Sequence, residues 1–164
     1  MNNVEIKFTG NYSDKLVFID DKYHKLKKGK YGTLLVNYST ENSISHVKIV
    51  SYNEYSSKFW FIWQFIYFVF SIFGIFDWWK NKSEKLYILD AKLNLTENCK
   101  FQIKIKTAKA NEPGAEIVSE NQFEILTNIV KNQEQVKKRI KAFKIFKILF
   151  IIAVIIAVIV LIVF

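Results

Sequence analysis

The chain has 164 residues, 51% hydrophobic and 16% aromatic, with one proline, five glycines and a formal charge of +9. That composition excludes a disordered chain or flexible linker and leaves material for one compact domain of ordinary size. Arg139 is the single arginine among 24 basic residues, a lysine bias expected of an AT-rich bacterial genome, and Cys99 is the single cysteine, so no internal disulfide exists. Met1-Asn2-Asn3 leads into strand-like alternation without an apolar leader, which predicts an amino terminus that stays in the cytosol.

Short antiparallel strands are expected over Val4 to Phe8, Lys15 to Asp20, Leu34 to Ser39 and His46 to Tyr55, where β-branched and aromatic residues alternate between polar turn clusters. Ile19-Asp20-Asp21-Lys22 reads as a hairpin turn with solvated carboxylates. Residues 1–58 thus form the first part of a β-domain.

Residues 59–79 form an aromatic insertion. Phe59 to Phe76 contains 18 residues without a charge, ten of them aromatic, and Asp77-Trp78-Trp79 follows. As a helix it would be about 27 Å long, just enough to span, yet Trp and Tyr prefer the headgroup boundary to the hydrocarbon centre. Trp60, Trp63, Tyr67, Trp78 and Trp79 are therefore the candidate membrane-interface residues. A single crossing would split the β-domain into two marginal halves on opposite sides. A re-entrant or interfacial segment, which lets both halves build one sandwich of seven or eight strands, is the favoured expectation.

Residues 80–127 resume the strands, over Glu84 to Leu95, Cys99 to Thr107, Glu116 to Val118 and Phe123 to Leu126. Cys99, Phe101, Ile103 and Ile105 alternate with Lys100, Gln102, Lys104 and Lys106, one face core and the other wet.

Residues 128–164 read as largely one helix, basic and amphipathic at first and then apolar. From Ile148 to Phe164, 15 of 17 residues are Ile, Leu, Val or Phe and the other two are Ala153 and Ala157. Positions 145–164 would cover roughly 30 Å, the hydrocarbon thickness of a bilayer. Lys137, Lys138, Arg139, Lys141, Lys144 and Lys147 flank this span, which by the positive-inside rule puts them in the cytoplasm, within reach of anionic lipid. Ala153 and Ala157, four residues apart, are candidates for a helix–helix contact and so for self-association.

Chemistry-bearing patterns are sparse. His24 and His46 have no ligand-spaced partners, Cys99 begins a strand on its apolar face, and no phosphate-binding glycine loop or nucleophile elbow occurs. No catalytic residue, cofactor or metal is expected. The lysines 25, 27, 28, 30, 100, 104 and 106 are chiefly a solvated face, and without interleaved aromatics they do not suggest nucleic acid.

Val17-Phe18-Ile19-Asp20-Asp21, the hairpin after it and His46-Val47-Lys48-Ile49-Val50 resemble PEGA-type modules, small β-sandwiches of bacterial surface and envelope proteins. The resemblance covers some 40 residues and implies a structural or interaction module without an active site. The family's proline and its glycine before the histidine are absent here, where Ser43-Ile44-Ser45 stands.

The expected protein is therefore membrane-anchored and mainly β. An antiparallel sandwich-like domain lies on the cytoplasmic face of the bacterial membrane, with an inserted aromatic helix and a carboxyl-terminal span. Its expected role is non-enzymatic, an accessory or scaffolding component for a protein partner. An immunity or toxin-antagonist protein acting in the membrane and a membrane-permeabilising protein are the alternatives.

Overall fold

The computed structural model describes residues 1–10, 12, 15–29, 33–73 and 84–163. The chain forms two compact units, Met1–Tyr52 with Lys85–Asn132, and Asn53–Glu84 with Gln133–Phe164.

The first unit contains β1 (Asn2–Thr9), β2 (Lys15–Ile19), β3 (Lys22–Tyr23), β4 (Lys27–Lys28), β5 (Leu34–Thr40), β6 (Ile44–Ser51), β7 (Lys85–Asn94), β8 (Cys99–Ile105), β9 (Ala115–Ser119) and β10 (Phe123–Asn132). They make two five-stranded sheets, ordered β4-β5-β1-β8-β9 and β10-β7-β6-β2-β3. Strict alternation puts Val4, Ile6, Phe8, Cys99, Phe101 and Ile103 of the first sheet in one buried cluster with Val17, Ile19, Val47, Ile49, Leu89, Ala91 and Leu93 of the second. The result is a sandwich whose core lies between two inner faces.

All neighbouring strands are antiparallel except β1 and β8, which pair in parallel with Ile6 opposite Phe101. The expected antiparallel sandwich-like domain is thus mostly antiparallel, with this one parallel pair as the departure. A parallel neighbour needs a long crossover, and the chain between Thr9 and Cys99 supplies one that includes four of the second sheet's five strands, β2, β3, β6 and β7. Gly10 ends β1 at φ +99, where an added Cβ would stand 2.5 Å from the Ile105 carbonyl oxygen, so both backbone and space require glycine.

Residues on either side of the aromatic segment belong to the same sheet, since β6 and β7 pair from Ile44 opposite Asn94 to Val50 opposite Ile88. β10 extends β7 on its other side, with Asn132 opposite Lys85. Ser51, Lys85 and Asn132, where the chain leaves this unit, therefore end three adjacent strands at one end of the sheet.

Helix was expected from residue 128, but 128–132 complete β10. Ile129 and Val130 are β-branched and pair with Ile88 and Tyr87. The Asn128 side chain accepts from the backbone N–H groups of Gly114 and Ala115, both at 3.0 Å, and donates to the Ala115 carbonyl at 2.7 Å. That fixes it as a sheet-edge residue. His46 to Tyr55 was also expected as one strand; β6 stops at Ser51, because Asn53 accepts a hydrogen bond from the Tyr55 N–H and starts a single 3-10 turn over Glu54–Ser56.

The second unit holds that turn, helix α1 (Trp60–Ile72) and helix α2 (Glu134–Val163). α1 has 13 residues, about 20 Å, and is thus shorter than a bilayer's hydrocarbon core. α2 has 30 residues, about 45 Å, and is long and apolar enough to cross a membrane.

Candidate membrane-insertion site

The two helices of the second unit meet through aromatic rings. Phe61 lies 5.9 Å from Phe143 and 5.3 Å from Phe146, Phe65 lies 6.1 Å from Phe146, and Phe68 lies 5.3 Å from Phe150. Phe68 also reaches Phe143 at 6.4 Å and Phe146 at 6.2 Å, so these two rings of α2 are shared by Phe61 and Phe68, one helical face of α1. Most of these pairs are edge-to-face, the arrangement the ring quadrupoles favour. Tyr55, Phe68, Val136 and Phe143 are buried at the centre, with Trp60, Ile140 and Phe146 packed on them. Positions 136, 140, 143, 146 and 150 recur at helical spacing, which is why one stripe of α2 serves the whole contact.

At the start of this contact Arg139 donates from Nη1 to the carbonyls of Tyr55 and Ser57, and its guanidinium sits over Trp60 at 5.6 Å. Gln64 is buried and donates to Glu54 at 3.1 Å. Burial, with the Glu54 charge adding to it, pushes the Tyr55 hydroxyl up to about 12. Gln133 donates its N–H to the Glu84 carbonyl at 3.0 Å, which ties the residue before β7 to the start of α2.

Beyond Phe146 the surface changes. Every described residue of α2 from Ile148 onward is exposed, on all sides of the helix. Water would meet an unbroken apolar cylinder there. A one-sided docking helix would need only a stripe, whereas hydrocarbon solvates such a surface all round.

The candidate interface residues separate into different roles. Trp60 packs against Tyr55, Phe61 and Arg139, and so belongs to the helix junction. Trp63 is 49% exposed and stacks on Tyr67 at 6.5 Å, presenting an amphipathic pair to the surroundings. Trp78 and Trp79 lie outside the described residues. Among the flanking cations, Lys137, Lys138, Lys141 and Lys144 are exposed, Arg139 is turned into the junction, and Lys147 lies over the Phe143 ring at 5.7 Å. Ala153 and Ala157 are exposed, continuing the stripe of Phe146 and Phe150.

The sandwich offers a different kind of cluster around the β2–β3 turn. Asp20 and Asp21, at φ 48 and 61, make the tight turn with Ile19 opposite Lys22. The Asp20 carboxylate was expected in solvent. Instead it accepts the His46 N–H at 2.7 Å and the Ser45 hydroxyl at 3.0 Å, while Tyr38, from the other sheet, donates to Ser45 at 2.7 Å. Burial pushes the Tyr38 hydroxyl up to about 12, against the Ser45 hydrogen bond, which lowers it. Ser45 is fully enclosed, so this chain of bonds ties sheet to sheet rather than presenting a nucleophile. Its turn and β6 carry the residues of the PEGA resemblance, since β2 and β6 are adjacent, with Val17 opposite Ile49.

On the outer face of the second sheet the same register lines up Leu16, Val50, Ile88 and Ile129 across four strands. On the outer face of the first, Lys106 pairs with Glu116 at 2.7 Å and draws that carboxyl below its usual range. Among the described residues no three His, Cys, Asp or Glu side chains converge as for a metal ion. Sequence reasoning missed the Tyr38–Ser45–Asp20 tie and the Leu16–Ile129 row, because both depend on strand register. The chain matches no protein-family model, no curated protein and no solved structure.

Proposed function

We propose that this chain is a non-enzymatic, membrane-anchored accessory or scaffolding protein that holds a β-sandwich at the cytoplasmic surface for a protein partner. The observation that carries the reading is the apolar stretch of α2 from Ile148 to Val163, exposed at every residue. The basic residues just before it support a cytoplasmic position for the sandwich, by the positive-inside rule. In this reading α1, too short to span, is a re-entrant or interfacial helix of the same leaflet. A sheet cannot form with neighbours on opposite sides of a bilayer, and β6 and β7, which flank the segment, are neighbours. The Leu16–Val50–Ile88–Ile129 row supplies an apolar surface on which a partner can dock.

Side-specific labelling tests the topology. In a Cys99→Ser background, single cysteines at Asn42 and Glu112, both exposed, are treated with a membrane-impermeant maleimide in intact cells and in inverted vesicles. Labelling of both only in inverted vesicles is expected; labelling from opposite sides, or recovery of the chain in the soluble fraction, overturns the reading. A photo-crosslinking residue at Leu16 tests the partner, with a discrete protein adduct expected and no protein adduct counting against a scaffold.

The exposed Trp63–Tyr67 stack favours one second reading, an antagonist that engages a membrane-active toxin within the bilayer. Under it, Trp63→Ala abolishes protection of cells while the chain stays in the membrane.

A further inference from the structure

We infer that the outward face of the first turns of α2 is a docking surface for anionic phospholipid headgroups, formed by Lys137, Lys141 and Lys144. These residues stand at i, i+4 and i+7, which places them within roughly a 60° arc and about 10 Å along the axis. All three are exposed, with Lys138 on their flank. The stripe Val136, Ile140, Phe143 and Phe146, centred roughly 120° further round the helix, is occupied by the aromatic cluster, and the lysine arc beside it is left exposed. Arg139 and Lys147 are excluded, the first spent on the Tyr55 and Ser57 carbonyls and the second lying over Phe143.

Height along the helix selects the partner. The next residue on the same arc is Ile148, 58% exposed, where the unbroken apolar surface begins. A bilayer that takes Ile148 to Val163 as its hydrocarbon region holds its phosphates at the level of Lys144 and above. Glu134, the one carboxylate in the described first turns of α2, lies in the first turn, roughly 10 Å from Lys141 along the axis. Three flexible ammonium groups select charge rather than headgroup shape, so any anionic phosphodiester lipid fits. Each lysine near such a surface contributes about a five-fold preference.

The inference rests on α2 entering the bilayer, and the test separates the two. In a Cys99→Ser background, a bimane label is placed at Ile148→Cys, below the lysines, or at Ala153→Cys, on the other side of the helix. Each protein is reconstituted in equimolar phosphatidylglycerol and phosphatidylcholine with one or the other lipid brominated. Stronger quenching by brominated phosphatidylglycerol is expected at position 148 and no preference at position 153. The preference should fall about five-fold with each Lys→Gln at 137, 141 or 144, and persist in excess inorganic phosphate at matched ionic strength. Equal quenching by both lipids at position 148 overturns the headgroup surface and leaves the span standing. Quenching by neither overturns both. A preference abolished by inorganic phosphate, or retained after all three substitutions, also overturns the proposal, the former because the lysines then take up a free anion.

Discussion

The guanidinium of Arg139 lies 5.6 Å from the ring centroid of Trp60 while its Nη1 is bonded to the Ser57 carbonyl at 3.1 Å and to that of Tyr55. One planar group thereby fastens the entry of α1 to α2. A lysine ammonium has no flat face to lay on the indole, and its stem is too flexible to hold a donor fixed between the two carbonyls. Arg139→Lys is expected to weaken the junction by about 1–2 kcal/mol, equivalent to hydrogen exchange roughly ten-fold faster. Amide exchange over Trp60–Ile72 measures it, and rates equal to the wild type would refute the role.

Phe68 is 2% exposed among the rings of Phe143, Phe146 and Phe150. In a water-surrounded core, Phe→Ala costs about 3–5 kcal/mol. Lipid tails are as apolar as the lost ring's neighbours, so the transfer part drops out and roughly 1–2 kcal/mol of packing remains. Phe68→Ala should release α1 from α2 at a lower urea concentration in micelles, with the sandwich transition unmoved. A shift of both transitions together would contradict this.

Tyr38 couples stability to alkaline pH. Folded, it holds its proton up to about 12, against an ordinary value of 10.0. As pH rises past 10 the unfolded chain releases that proton first, which draws the equilibrium toward unfolding. The contribution is therefore complete below pH 10 and is lost as pH rises toward 12. Burial raises Tyr12 and Tyr55 in the same direction, so the wild-type urea midpoint should fall across this window and Tyr38→Phe should fall less steeply. Parallel slopes for the two proteins would count against it.

Cys99 is 1% exposed, accepts the Thr96 N–H at 2.8 Å and donates to the Thr96 carbonyl at 2.7 Å. Burial closes off access to such a thiol. Maleimide should label it fully in denaturant and negligibly in the native protein over the same interval. Native labelling at the denatured rate would mean that the strand around it opens readily.

Sequence alone determined the features that depend on local pattern. Alternation from Cys99 to Ile105 names the buried and wet faces of β8, because the side-chain period of a strand is two. The run from Ile148 names the long apolar helix, because no arrangement of this chain could cover it in water. What local pattern suggested for residues 128–132 was helix, since the basic amphipathic period follows without a break. Pairing of Ile129 and Val130 with β7 decided otherwise. Only tertiary structure made β1 and β8 parallel neighbours, carried the sheet across the aromatic segment through β6 and β7, and turned Arg139 inward while its lysine neighbours face out. Each of those outcomes joins residues far apart in the chain, and register and packing, which no short window contains, select among the pairings that local propensity allows.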